Sequence, residues 1–373
     1  MNKINICFPF NGDSIGGSHI SALELINGLD KNNFNPVIVI HKKGLFYEHL
    51  KKNKIKIIFF PINRLIGQKK GIAINCIYLI YNFFKIKRFI KEKKIHFVHT
   101  NDATTHLTWI IPTKFSRSKF FWHLRVKFPN WRLYKILISL SDKIICISKY
   151  VKKTLPTKLR KKSIVIYNQI SLSNRKIEIS KKNKFFYSTN FKNKKKILFV
   201  ANIIKSKKVD VFIKSALKVF KKNKSFVFLV IGSDKFNILN KIILNLRNKE
   251  FEKSFFYLGQ SFNIKYWLKK SDLLLATAIN EGHNRIIVES MLAKLPVIAS
   301  KSAGHKETII NKETGWFVKP NDYNELANMT LKFFKLKQSQ KNKITRNAFE
   351  SVNKKFNVMK SKKIMEKLYR NNI

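Results

Sequence analysis

Hydrophobic and polar positions along this chain follow two rhythms in turn. Short runs rich in β-branched and aromatic residues are separated by longer stretches whose apolar positions recur at helical spacing. In the first half the runs are Ile4 to Phe8, Val37 to His41, Lys56 to Phe60, Phe97 to Thr100, Phe120 to His123 and Lys143 to Ser148, with Ile164 to Tyr167 as the last. In the second half they are Ile197 to Ala201, Phe226 to Gly232, Phe255 to Leu258, Leu273 to Ala278, Pro296 to Ser300 and Trp316 to Val318. Strands that alternate with helices predict an α/β fold built on parallel, doubly wound sheets. Between the two series, Ser171 to Lys196 is polar, lysine-rich and weakly periodic, the pattern of a linker with at most one edge strand. Beyond Glu325 a helix is expected, then a basic tail from Lys341 to Ile373 with Phe349, Val352, Phe356, Met359, Ile364 and Leu368 near helical spacing.

A length of 373 residues suggests two domains, at about 150 residues each. Hydrophobic residues make up 45% and aromatics 13%, so the chain is rich enough in core formers to fold despite its charge. That charge is +55, from 76 Lys and Arg against 21 Asp and Glu, and taken alone it suggests nucleic-acid binding. The lysines are scattered through nearly every loop and exposed helix face, however, and no aromatic-basic module accompanies them, so no specific nucleic acid is expected. The field favours anionic partners in general: nucleotide sugars, acidic glycans and an anionic membrane surface. A non-catalytic, basic nucleic-acid- or polyanion-binding protein is the alternative from charge alone.

Cys7, Cys76 and Cys146 lie far apart and suggest neither a disulfide framework nor a metal cluster, which points to a reducing compartment. The N-terminus enters a strand at once, without the regions of a signal peptide, so export is not expected. The longest apolar run, Ile72 to Phe84, is broken by Asn75 and Asn82 and falls short of the about 20 residues that span a bilayer. It reads as a packed helix in a cytoplasmic protein. The competing reading lays this run and its basic continuation, Lys85 to Lys91, on the inner face of the cell membrane as a peripheral anchor.

The segment with most chemistry is Ser271 to Pro320. A strand-like run stops, Glu281-Gly282 permits a tight turn, and a helical pattern begins near Asn284. The N–H groups of Asn284, Arg285 and Ile286 would point at an anion there, with the macrodipole behind them and the Arg285 guanidinium alongside. Glu281 lies in the loop, and Glu289, eight positions later, about two turns along the helix. Carboxylates accept hydrogen bonds from vicinal hydroxyls, so two of them around a diphosphate suit a ribose and a hexose. No strand is followed by G-x-G-x-x-G, which argues against a nicotinamide or flavin dehydrogenase. No Asp-x-Asp stands at a strand end, so a metal is not expected. The loop Asn11 to Ser18 follows the first strand, and its Gly16 and Gly17 allow either close ligand approach or a plain strand-to-helix turn. From position alone, His123 reads as a satisfied strand-end histidine.

Glu281-x7-Glu289, Glu289-Ser-Met-Leu-Ala, Pro296-Val-Ile-Ala-Ser, Ala303-Gly304, Glu307, Gly315-Trp-Phe-Val-Lys-Pro320 and Asp322 together resemble the signature of the family 4 (group 1) retaining glycosyltransferases. These are GT-B enzymes that use nucleotide sugars, and the resemblance extends to both ends of the chain. It implies two Rossmann-like doubly wound domains facing a central cleft. Residues 1–168 would bind the acceptor, 169–195 link, 196–345 bind the nucleotide sugar, and 346–373 return as a helix to the first domain. In the resemblance Glu281 contacts sugar hydroxyls, Glu289 the ribose, Lys207 and Arg285 the diphosphate, and His123 the reacting sugar. Gly16 and Gly17 would lie over the donor phosphates and the acceptor, and Arg125 would meet a phosphate or an acidic acceptor. Four positions depart from the family pattern. Glu281-Gly282-His283-Asn284 stands for Glu-Gly-Phe-Gly, Asn202 for the usual Arg, and Lys208 for the usual Gly. His283 then either faces the sugar or caps the turn, while Arg285 or Lys208 could compensate for Asn202.

The implied reaction is metal-independent, needs no cofactor beyond the donor, and retains anomeric configuration. It moves a sugar from a nucleoside diphosphate sugar to a hydroxyl of a glycan or lipid-linked acceptor, in cell-envelope polysaccharide or lipopolysaccharide synthesis. A sugar-nucleotide epimerase of the same fold and a binding protein that has lost activity are the alternatives.

Overall fold

A computed structural model describes residues 3–62, 72–129, 131–168, 170, 191, 193–246, 248–261 and 263–373, with backbone alone over 72–77. The expected linker falls almost wholly outside the described residues, at 171–190 and 192, and so does the side chain of Cys76. The chain divides into two compact units, one of Met1–Gln169 with Val358–Ile373 and one of Ile170–Asn357.

The first unit is built on seven parallel strands: β1 (Ile4–Phe10), β2 (Phe34–Ile40), β3 (Ile58–Phe59), β4 (Phe97–Thr100), β5 (Lys119–Leu124), β6 (Lys143–Cys146) and β7 (Ser163–Val165), in the order β3-β2-β1-β4-β5-β6-β7. The second has six: β8 (Lys195–Val200), β9 (Phe226–Ile231), β10 (Phe255–Tyr257), β11 (Leu273–Ala276), β12 (Val297–Ser300) and β13 (Trp316–Val318), in the order β10-β9-β8-β11-β12-β13. Each expected strand run thus holds a strand. These strands read as continuous apolar runs because helices cover both faces of a parallel sheet, as in β9, where Phe226 to Ile231 are all buried. In both sheets the order reverses beside the first strand, between β1 and β4 and between β8 and β11. The loops that leave these neighbours part there and open a crevice at the strands' carboxyl ends.

Two expectations change. The apolar run at 72 belongs to the helix Ile72–Glu92, of which Asn82, Ile86, Phe89 and Ile90 are buried and pack toward the helix Ala103–Lys114. Leu79 (49%), Ile80 (61%), Tyr81 (53%) and Phe84 (64%) are exposed. A single helical stripe contacts the unit, and a run that is apolar all round leaves its other side in solvent. The helix is therefore only partly packed. The tail forms two helices, Gln338–Lys355 and Val358–Arg370, and the second unit extends to Asn357, so the return begins at Val358 instead of 346. In the last helix Met365 and Tyr369, one turn apart, are buried against Phe34, Phe97 and Phe121, whereas Met359 is exposed and Ile364 and Leu368 are half-buried. Glu366 secures the helix by accepting a 2.8 Å hydrogen bond from the Asp30 amide.

Candidate functional site

At the switch point of the second unit, the loop after β8 runs through a single helical turn, Lys205–Lys207, and enters the helix Val209–Lys222 through Lys208. Lys208 is left-handed (φ 55°), which accounts for the glycine usual here, since a Cβ in that conformation costs about 1–2 kcal/mol. The loop is tied to the exit of β11. Thr277 Oγ1 donates to the carbonyl oxygens of Lys207 (2.8 Å) and Lys208 (2.9 Å), and Ile279 N donates to Ser206 O (3.0 Å). So fixed, Lys207 pairs through Nζ with Glu281 Oε1. Asn202 and Lys205 are exposed on the same loop.

The turn before Glu281 depends on Asn280, not Gly282. Asn280 holds φ 57°, a conformation that asparagine tolerates, while Gly282 has no positive φ. The tight approach at Gly282 comes from the loop after β12. A Cβ at Gly304 would lie 2.4 Å from the Glu281 carbonyl oxygen and 3.0 Å from the carbonyl carbon and oxygen of Gly282. Only a glycine at 304 permits this contact.

Asn284 precedes the helix Arg285–Leu292 but does not cap it with its side chain. Its Nδ2 lies 2.9 Å from His305 Nε2 instead. His305 Nδ1 lies 2.8 Å from the Ser300 carbonyl oxygen, which can only accept, so Nδ1 carries the proton. Burial lowers the pKa of this ring, and the neutral imidazole accepts from Asn284 at Nε2. The Asn284 side chain is thereby held away from the start of the helix, where backbone amides favour an anion. Arg285 Nε lies 2.5 Å from Glu289 Oε1, both side chains being 14% exposed. His283 is buried with its ring 5.0 Å from Phe356. Its pKa is lowered to about 3, by burial first and then by the charges of Arg285, Lys355 and His305.

In the first unit, Gly16 is extended (φ −153°, ψ −177°) and precedes the helix Gly17–Gly28, its N–H donating to His19 Nδ1 (3.2 Å). The glycine whose backbone demands it is Gly12, with φ +94° and a notional Cβ 2.1 Å from Lys42 O. β4 carries His99, β5 carries His123, and Arg125 follows. Arg125 is held as a fork: Nη1 donates to Asn168 Oδ1 (2.7 Å), while Nε (3.1 Å) and Nη2 (2.7 Å) donate to Asn101 Oδ1. His99 Nε2 lies 3.1 Å from His123 Nδ1, and His99 Nδ1 lies 2.5 Å from the Tyr369 hydroxyl. Burial holds His99 at about 3 and His123 well below its usual value, with Arg125 lowering both further. His123 Nε2 is buried and has no hydrogen-bond partner among the described residues.

The expected residues therefore gather into two groups. Lys207, Glu281, Gly282, His283, Asn284, Arg285, Ile286 and Glu289 surround one switch point, and His123 and Arg125 stand with His99 and Tyr369 in the first unit. His305, His99, Tyr369, Asn101 and Asn168 were not anticipated. Each acts on a residue distant in sequence, and only for Tyr369 did a sequence signal exist, the apolar period of the tail, which fell one residue out of register.

Two sheets of this order define the GT-B class, and comparison with known proteins agrees. Glycosyltransferase Family 4 matches residues 15–174, and Glycosyl transferases group 1 matches residues 180–351. The chain belongs to the group 1 glycosyltransferases. Alr3699/HepE from Anabaena, solved with UDP and glucose, superposes with a TM-score of 0.81 at 16% identity over 98% of this chain and 99% of that one. That likeness concerns the fold. An uncharacterized glycosyltransferase of Methanocaldococcus jannaschii is 30% identical over 210 residues, 56% of this chain and 54% of the relative. The capsular polysaccharide biosynthesis glycosyltransferase CapM of Staphylococcus aureus is 24% identical over 250 residues, 61% of each chain. The chain spans little more than half the length of these curated relatives.

Proposed function

We propose that this chain is a retaining glycosyltransferase that moves a sugar from a nucleoside diphosphate sugar to a hydroxyl of a glycan or lipid-linked acceptor in cell-envelope polysaccharide or lipopolysaccharide synthesis. The observation that carries the reading is the pair of cation–carboxylate couples around the helix start that follows Asn284, Lys207 with Glu281 and Arg285 with Glu289. A diphosphate arriving at the helix start draws Lys207 and Arg285 toward its oxygens. That frees Glu281 for sugar hydroxyls and Glu289 for the ribose. The UDP-bound HepE structure and the CapM relative support UDP as the nucleotide and a polysaccharide as the product.

In the transition state negative charge grows on the departing diphosphate, where the helix dipole, Lys207 and Arg285 oppose it. These groups supply the positive charge from the protein itself, and turnover unchanged by a chelator is the corresponding expectation. The leaving phosphate takes the acceptor proton on the same face, so anomeric configuration is retained without a dedicated base. In the first unit Arg125 serves an anionic acceptor, and Nε2 of His123, which has no partner among the described residues, serves a sugar oxygen. Calorimetry with UDP, GDP, ADP and their sugars, at two salt concentrations, tests the donor assignment. Salt-tolerant binding of one nucleotide, weakened in Glu289→Ala, supports it. Equal binding of every polyanion at low salt alone reduces the reading to charge attraction.

The reading includes attachment to an anionic membrane surface through the first unit. The exposed Leu79, Ile80 and Phe84 of the helix Ile72–Glu92 are followed by Lys85, Lys87, Arg88 and Lys91 on the same element. No described helix is long and apolar enough to cross a membrane.

A further inference from the structure

We propose that Tyr369, on the last helix of the chain, is a positioning residue that fixes the proton of His123 on Nε2 through His99. Three buried groups form a line: the Tyr369 hydroxyl, His99 bonded through both ring nitrogens, and His123. A neutral imidazole donates from one nitrogen and accepts at the other, so the line can run in only two directions. If His123 donated from Nδ1, His99 would donate to the hydroxyl, and the Tyr369 proton would need another acceptor. The Tyr369 side chain is wholly buried, and His99 is its hydrogen-bond partner in the line. In the other direction the hydroxyl donates to His99 Nδ1 and His99 Nε2 donates to His123 Nδ1, so each proton finds a lone pair.

A second observation fits the same direction. Arg125 Nη2 lies 3.5 Å from His123 Nδ1, and because a guanidinium only donates, the long contact favours a lone pair over an N–H on this nitrogen. His123 Nε2 is then an N–H donor, buried and without a partner among the described residues. A buried orphan donor is costly, and an oxygen of a substrate would satisfy it. The ring of Tyr369 is held independently of its hydroxyl, lying 5.4 Å from Phe121 with 6° between planes. Tyr369→Phe therefore removes the proton source and leaves the packing.

The proposal rests on the transferase reading only for its effect on turnover. Its first test needs no substrate: long-range nitrogen–proton spectra of the histidine-labelled full chain, assigned with His99→Gln and His123→Gln. The expected spectrum has His123 protonated at Nε2 and bare at Nδ1. Protonation at Nδ1 overturns the proposal even if the Tyr369 variant does not fold. In folded Tyr369→Phe, a mixture of His123 tautomers is expected, with kcat about three- to tenfold lower and KM for the donor little changed. A single unchanged tautomer with unchanged kcat removes Tyr369 from the role. A tautomer shift in a chain that transfers no sugar supports the relay and removes the transferase reading.

Discussion

Gly304 and His305 show how single residues shape the candidate donor site without touching a ligand. In Gly304→Ala the added methyl meets backbone, which has no rotamer to yield, so the loop after β12 or the Glu281 turn must move. The expected cost is about 1–3 kcal/mol in urea unfolding, with weaker UDP binding in calorimetry. Wild-type affinity in that variant would show that the contact is incidental. His305→Ala releases Asn284, whose carboxamide can then cap the helix and compete with a diphosphate for the amides. A cap is worth about 1 kcal/mol, so UDP affinity should fall about fivefold, and an unchanged affinity in a folded variant rules out this role. Glu281, Arg285 and Glu289 were legible because they sit in one contiguous motif. Lys207 was legible from a second such segment. Asn284 was legible as a helix start, but not as a residue held away from its own helix, because its partner is twenty-one positions on.

Elements were read well as to kind and less well as to packing. All thirteen strands among the described residues were anticipated, because a strand covered on both faces is apolar along its whole length. β4 and β13 fall on their expected bounds, and other ends moved by up to three residues, as with β2, which starts at Phe34 and not Val37. The helix Ile72–Glu92 is the instructive case, since composition gave its apolar content but not which side meets the sheet. Its exposed side leads to a prediction at this scale. Ile80→Glu with Phe84→Glu should leave the melting temperature nearly unchanged, since both residues are exposed, and should lower sedimentation with anionic vesicles severalfold. Vesicle binding equal to wild type would remove the membrane reading while leaving the donor site untouched.

Across the whole molecule the buried histidines dictate a response to acid. His19 is lowered to about 4 and His99 and His283 to about 3, in each case chiefly by burial, and His106, His123 and His305 are lowered as well. The unfolded chain takes up protons near its ordinary value of about 6.5, whereas the folded chain does not until far lower pH. Stability is therefore fully present above about 6.5 and is lost as pH falls toward the folded values, at about 1.4 kcal/mol per pH unit for each such histidine. The urea midpoint should drop steeply from pH 6.5 to about 4, and a flat profile would mean that these rings are charged or solvated. The net charge of +55 has a second consequence: binding of unrelated polyanions should weaken sharply with salt while nucleotide binding persists. Sequence alone determined two α/β units, their strands in order, and the Glu281 to Glu289 motif, because periodicity and contiguous motifs are local properties. Tertiary structure decided the rest. It brought Lys207 to Glu281 across 74 positions and Tyr369 to His99 across 270, and so set which nitrogen of His123 bears a proton. Those outcomes depend on how distant strands and the final helix come to lie side by side, and on which neighbours remain once water is excluded.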